Sequence, residues 1–168
     1  MKKRVVPFIT TVLFLAVLVI VLTSLVQKEQ PVTIVKNNSA FKALPIKLGF
    51  TNDTQCKMLI HTERNAAEVV APDGRTWFFD DPGCMVLWLK GKDFADRAVL
   101  WVHTIDTKRW IDAKKAWYGV RDSTAMHYGF GAREHRCGEC IDFEEMRLRM
   151  LRGENLSNPK IRKKLLGV

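Results

Sequence analysis

The spacing of hydrophobic and polar residues divides the chain into stretches of different character. From Val5 to Val26 runs a stretch of 22 residues without a charge, which as a helix rising about 1.5 Å per residue extends roughly 33 Å. That is long enough to span a bilayer, and Pro7 sits near the helix start, where its missing N–H costs least. Lys2, Lys3 and Arg4 precede the run with no Asp or Glu, so the positive flank predicts a cytoplasmic tip with the remainder outside. A cleaved signal peptide is the competing reading. The run is longer than the usual apolar core of about 7–15 residues, however, and no clear Ala-x-Ala site follows it. Residues 27–48 show no period and are interrupted by Pro31, Asn37, Asn38, Ser39 and Pro45, which reads as a tether.

Beyond Phe50 the pattern turns to short β-type segments. One lies near Lys57 to His61. Ala67 to Ala71 and Arg75 to Phe79 flank Pro72-Asp73-Gly74, the composition of a hairpin in which glycine supplies the positive φ. Asp80 or Asp81 before Pro82 predicts a helix N-cap with proline in the first turn. The helix runs to about Lys90, with Cys84, Leu87 and Trp88 on one face and Gly91 as the stop. Ala98 to His103 is the strongest strand, with further strands at Trp110–Asp112 and Ala116–Val120. A last helix, about Asp142 to Arg152, aligns Phe143, Met146 and Met150. The order β-β-α-β occurs once and begins again. The predicted class is therefore α+β, with small antiparallel sheets in ββαβ-type units behind one N-terminal transmembrane helix. The expected organisation is a tip and anchor at 1–26, the tether at 27–48, a domain at 49–154 and a basic tail at 155–168. Within the domain, sub-units at about 49–105 and 106–154 are expected.

Charge changes this picture little once it is located. The chain carries a formal +9, but the excess lies at its two ends, and Gln27 to Glu145 holds 17 basic and 17 acidic residues. A neutral body with one basic tail has no footprint for nucleic acid; a solvated or lipid-facing tail accounts for the rest. Nucleophile elbows, phosphate-binding glycine loops and His-Glu-x-x-His are missing from the sequence. Asp80-Asp81 imitates a carboxylate pair, but adjacent side chains diverge and helix capping explains them more simply. Trp77, Trp88, Trp101, Trp110 and Trp117 read as the core of a small domain.

The chemistry concentrates on Cys56-Lys57-Met58. Thiolate and thioether are soft ligands that suit Cu(I), a d¹⁰ ion satisfied by two or three such donors. On an extended segment, residues i and i+2 point to one side, which would aim both sulfurs at a single ion. Thiolate ligation competes with protonation, so affinity should rise with pH. Filling a core is the plainer fate for isolated Cys and Met residues. Cys137-Gly138-Glu139-Cys140 leaves three alternatives: a structural disulfide in an oxidising compartment, metal binding with His135 or Cys84, where Zn(II) suits as well as Cu(I), or thiol-disulfide exchange. Cys84 and His103 read as core residues.

Several segments together resemble the NosL family, the accessory copper proteins of nitrous-oxide reductase, over about residues 52–154. They are Cys56-Lys57-Met58; Phe79 to Met85; Trp101-Val102 through Thr107 to Ala113; and Ala125 to Ala132. The resemblance implies a two-part ββαβ fold that binds Cu(I) outside the cytoplasmic membrane and delivers it to a maturing enzyme. It implies Met126 as the third ligand beside Cys56 and Met58; His61 and His127 are candidate supplements, and Cys137 and Cys140, from their own spacing, are weaker candidates. Family members are commonly lipoproteins. Here no cysteine lies near the end of the apolar run, and a transmembrane helix would do the same anchoring. The chain after Met126 is short for a full second ββαβ unit. The expected role is a membrane-anchored, periplasm-facing chaperone, not an enzyme, between a copper exporter and a copper enzyme. A membrane-tethered thiol-disulfide oxidoreductase using Cys137 and Cys140, or a structural domain of a respiratory assembly, is the alternative.

Overall fold

The computed structural model describes the backbone of residues 2–26 and 31–167 and the side chains of 9–24 and 31–167. The chain falls into two compact units, Met1–Gln30 and Pro31–Val168. The first contains helix α1, Lys2–Val26, with exposed Leu13, Phe14, Val19 and Ile20 among its apolar side chains. Among the described residues, no helix is long and apolar enough to cross a membrane. The expected transmembrane helix is thus met by a helix, but not by a demonstrated span.

The second unit is α+β, built on an antiparallel five-stranded sheet of order β1-β3-β2-β4-β5. Strands β2 (Ala67–Val70) and β3 (Thr76–Phe79) form the predicted hairpin, with Val69 opposite Trp77. Its turn is closed by Ala71 N–H donating to Arg75 O at 2.8 Å and Gly74 N–H to Ala71 O at 2.9 Å. Gly74 has a φ of 77°, and a Cβ there would come within 3.2 Å of the Asn38 backbone. β4 (Val99–His103) pairs with the other side of β2, β5 (Trp110–Asp112) with β4, and β1 (Ile34–Val35) with β3.

β2 and β3 are buried at every position because the sheet is covered on both faces. Val69, Trp77, Phe79, Leu100 and Val102 belong to the main core, while Phe78 packs with Ile46, Ile60 and Ala66 in a second cluster. Helix α2 (Pro82–Leu89) packs on β2 and β3, completing β2-β3-α2-β4 as the one full ββαβ unit.

The remainder departs from a repeat. β6 (Trp117–Tyr118) and β7 (Ala132–Arg133) form a two-stranded sheet, followed by α3 (Phe143–Arg152) with Phe143, Met146 and Met150 buried as the pattern predicts. Asp142 caps α3, and Gly153 ends it at a φ of 72°. Among the described residues no strand follows α3; the basic tail instead forms α4 (Pro159–Leu166). β5, from the expected second sub-unit, belongs to the first sheet, so the two halves share one sheet. The segment near Lys57–His61 makes only an isolated bridge, Asn52 to Leu59.

The expected tether is also folded from Pro31 onward. Asn38 is buried, its amide donating to Lys42 O at 2.8 Å and to Thr76 Oγ1 at 3.1 Å. One side chain of the strap, Asn38, and one of the sheet, Glu68, tie the two together, which the lack of periodicity could not reveal. Leu44 N–H donates at 3.0 Å to Glu68 Oε2; Glu68 is fully buried in β2, and its Oε1 has no hydrogen-bond partner among the described residues.

Burial pushes the Glu68 carboxyl up to about 8. Between its ordinary value of 4.5 and about 8, the folded chain keeps a proton that the unfolded chain releases, so stability falls as pH rises through that window. Denaturant titration across pH 5 to 8 should show this decline, and Glu68→Gln should make it shallower. An unchanged slope would remove Glu68 as its source.

Candidate metal centre

Cys56 lies on a tight loop, not on a strand. Backbone bonds from Asp53 N–H to Met58 O and from Ile60 N–H to Thr51 O, both 2.8 Å, close the loop's neck. Asp53, fully buried, accepts from Gln55 N–H at 2.6 Å and Cys56 N–H at 2.8 Å through Oδ1. Its Oδ2 accepts from Asp80 N–H at 2.9 Å. One carboxylate therefore folds the loop and ties it to the end of β3.

Lys57 is left-handed, with a φ of 69°. This breaks the alternation that would aim Cys56 and Met58 to one side of an extended segment. Cys56 is half-buried against the main core, whereas Met58 is 45% exposed.

The side chains gathered with Cys56 are others. Its Sγ lies 4.0 Å from both carboxylate oxygens of Asp80. One ligand atom from each of Asp53, Cys56, Asp80 and Cys84 lies within 4.8 Å of every other. Cys84 is buried in the first turn of α2. Its neighbour along the helix, Gly83, is needed for space, since a Cβ there would sit 2.5 Å from the Tyr128 ring and 3.0 Å from Met150 Sδ.

Asp81 is the N-cap of α2, accepting from Gly83 N–H at 2.8 Å through Oδ1, and its Oδ2 accepts from Met126 N–H at 3.2 Å. Three segments distant in sequence, around Cys56, Cys84 and Met126, thus meet at the start of α2. Met126 is half-buried against the same core as Cys56.

The other expected ligands stand apart from this cluster. His61 is exposed. His127 is exposed too, and its N–H donates to Thr124 O at 3.0 Å. Cys137 and Cys140 are joined in a disulfide, so their sulfurs are not free thiolate ligands in this state. His135, exposed, lies with Nδ1 3.3 Å from Asp106 Oδ2.

Asp53 and Asp80 escaped sequence reading, and Cys84 was named as a ligand only as a companion of Cys137 and Cys140, each for its own reason. Asp53 stands three residues before Cys56 in a turn too short to show a period. Asp80 and Cys84 look like a cap neighbour and a core residue, and only their meeting with Cys56 gives them chemistry.

The electrostatics favour a cation. Among the described residues, Asp53, Asp80 and Asp81 form no ion pair with Lys, Arg or His. Burial, with Asp53 and Asp81 nearby, pushes Asp80 up to about 8. Burial also raises Asp81. Cys56 is pushed up to about 11 by burial and by Asp53 and Asp80, and burial raises Cys84 further. Each proton held here neutralises charge that a bound cation would neutralise instead.

The donor set suits a d¹⁰ thiophilic ion. Two free thiols whose sulfurs lie within 4.8 Å of each other are close enough for a single ion to bridge them. The Asp53 oxygens already accept three N–H bonds, which leaves Asp80 as the free carboxylate.

The sequence matches no protein-family model, and comparison with curated proteins finds no match. Among solved structures, the chain is similar to the copper chaperone NosL from Shewanella denitrificans, at 19% identity and a TM-score of 0.49 over 64% of this chain and 87% of that one. A likeness at this level leaves the chemistry to be read from this chain's own side chains.

Because the thiolate is the nucleophile, alkylation of Cys56 by iodoacetamide should accelerate about tenfold per pH unit, levelling only near pH 11, the value to which Cys56 is pushed. Asp80→Asn removes a carboxylate that is ionised above about pH 8 and should speed the reaction at pH 9 to 10. A wild-type rate that levels near pH 8.5 would contradict the assigned surroundings.

Proposed function

We propose that this protein binds Cu(I) between Cys56 and Cys84 and acts as a membrane-anchored copper chaperone of NosL type, not as a catalyst. The observation that carries the proposal is the two free thiols within 4.8 Å at the start of α2. Two thiolates are what a two-coordinate Cu(I) ion takes, and a soft ion prefers them to carboxylates.

Met126, anchored through its backbone to Asp81, is the proposed thioether ligand, as the resemblance of its segment implies. Met58, exposed on the loop that carries Cys56, is proposed as the donor through which the ion enters and leaves. The charge-free run behind Lys2, Lys3 and Arg4 supports an anchor in the cytoplasmic membrane with the folded unit in the periplasm. Copper would then come from an exporter and pass to a copper enzyme, with nitrous-oxide reductase the client that the sequence resemblance favours.

The carboxylates beside the thiols favour a second reading, Zn(II) in tetrahedral coordination. Both readings use the two thiols, and Asp53 already uses three of its acceptor sites on loop and β3-end amides; the preference of a soft ion for thiolate over carboxylate favours the two-thiolate ion.

Competition titration with a Cu(I) chelator tests this. Loss of an outer partner typically costs a metal site about 10–100-fold in affinity, so Cys56→Ser and Cys84→Ser should each cost more than that. Cys137→Ser with Cys140→Ser should leave affinity unchanged, and Met58→Leu should slow transfer to an acceptor while changing affinity little. Each thiol that must ionise adds about tenfold per pH unit to the apparent affinity. Retained tight binding in both the Cys56 and Cys84 variants would exclude the site.

A further inference from the structure

The pair that would hold the ion has a second chemistry. Cys56 and Cys84 are both free, one half-buried and the other fully buried, and their sulfurs lie within 4.8 Å. Cys56 sits on a loop and Cys84 on the first turn of a helix, so the loop is the element that can move to bring sulfur to sulfur.

We propose that Cys56 and Cys84 form an oxidisable pair that closes into a second disulfide by exchange with a low-molecular-weight disulfide, RSSR, and that closure switches off metal binding. Accessibility assigns the order of steps. Cys56 loses its proton to solvent, and its thiolate attacks one sulfur of RSSR. The S–S bond breaks, a Cys56–S–S–R mixed disulfide forms, and the departing thiolate takes up a proton as RSH. Cys84, out of reach of RSSR, then loses its proton and attacks Cys56 Sγ, expelling the second thiolate as RSH. The protein gives up two electrons and two protons, and RSSR becomes two RSH.

The carboxylates of Asp53 and Asp80 disfavour both thiolates and make the closure slow, so it is read at equilibrium. A bound d¹⁰ ion occupies both sulfurs and blocks it. The consequence for metal binding rests on the reading proposed above; the closure itself does not.

The test equilibrates the full metal-free chain, its Cys137–Cys140 disulfide intact, with a series of reduced and oxidised glutathione ratios. Each sample is acid-quenched, alkylated under denaturing conditions and mapped by mass spectrometry. Closure predicts a change from two alkylated thiols to none, with one cross-linked peptide pair joining Cys56 to Cys84 and no retained glutathione. Cys84→Ser should stop at a single glutathione adduct on Cys56, and Cys56→Ser should leave Cys84 free and alkylatable throughout. A wild-type chain that keeps both thiols, or that holds a stable adduct on Cys56, overturns the pair. The same samples are titrated with Cu(I): closure should abolish binding, and selective reduction back to two free thiols should restore it. If the pair closes and Cu(I) binds undiminished, the two-thiolate copper site is wrong while the disulfide stands. If Cu(I) protects both thiols yet no closure occurs without it, the copper site stands and the switch is wrong.

Discussion

The loop that carries Cys56 is held to the start of α2 by the side chain of Asp53, whose oxygens accept from two loop amides and from Asp80 N–H. Each such bond to a charged acceptor contributes about 1.5–3 kcal/mol, and burying the carboxylate is tolerable only because all three are made. Asp81 does the corresponding work on the other side, joining Gly83 to Met126. Remove these two carboxylates and three segments lose their common meeting point. The thiols of Cys56 and Cys84 would then be two unrelated cysteines.

That arrangement carries an electrostatic cost. Carboxylates used as backbone acceptors crowd two thiols in a half-buried place with no cation among the described residues paired to them, and protons are retained on Asp80 and the cysteines as a result. Scaffold and ligand chemistry are coupled here. The groups that shape the loop also set the field that a metal ion would relieve, and Asp80 touches both roles by donating its N–H to Asp53 while its carboxylate lies beside Cys56 Sγ.

Much of the fold was legible in the sequence, because hairpin and helix signals are local. Pro72-Asp73-Gly74, the Asp81 cap before Pro82, and the Phe143, Met146 and Met150 stripe all appear where their chemistry predicts. Residues 31–48 were not legible, since their order comes from side chains such as Asn38 and Glu68 that reach across the sheet. Of the candidate site, Cys56 was readable from its residue type and the resemblance of its segment. Met126 was readable from the resemblance too, but Asp53 and Asp80 were not, and Cys84 was matched with Cys137 and Cys140 instead. Cys84 looks like core because it is core, and its proximity to Cys56 depends on a turn whose left-handed Lys57 no hydropathy pattern announces.

X-ray absorption at the copper edge of the Cu(I)-loaded full chain reads out which atoms surround the metal. A two-thiolate site gives a shell dominated by sulfur, with a loss of sulfur scattering in Cys84→Ser as well as in Cys56→Ser. A shell of oxygen and nitrogen, or a Cys84→Ser spectrum identical to that of the wild type, would contradict it.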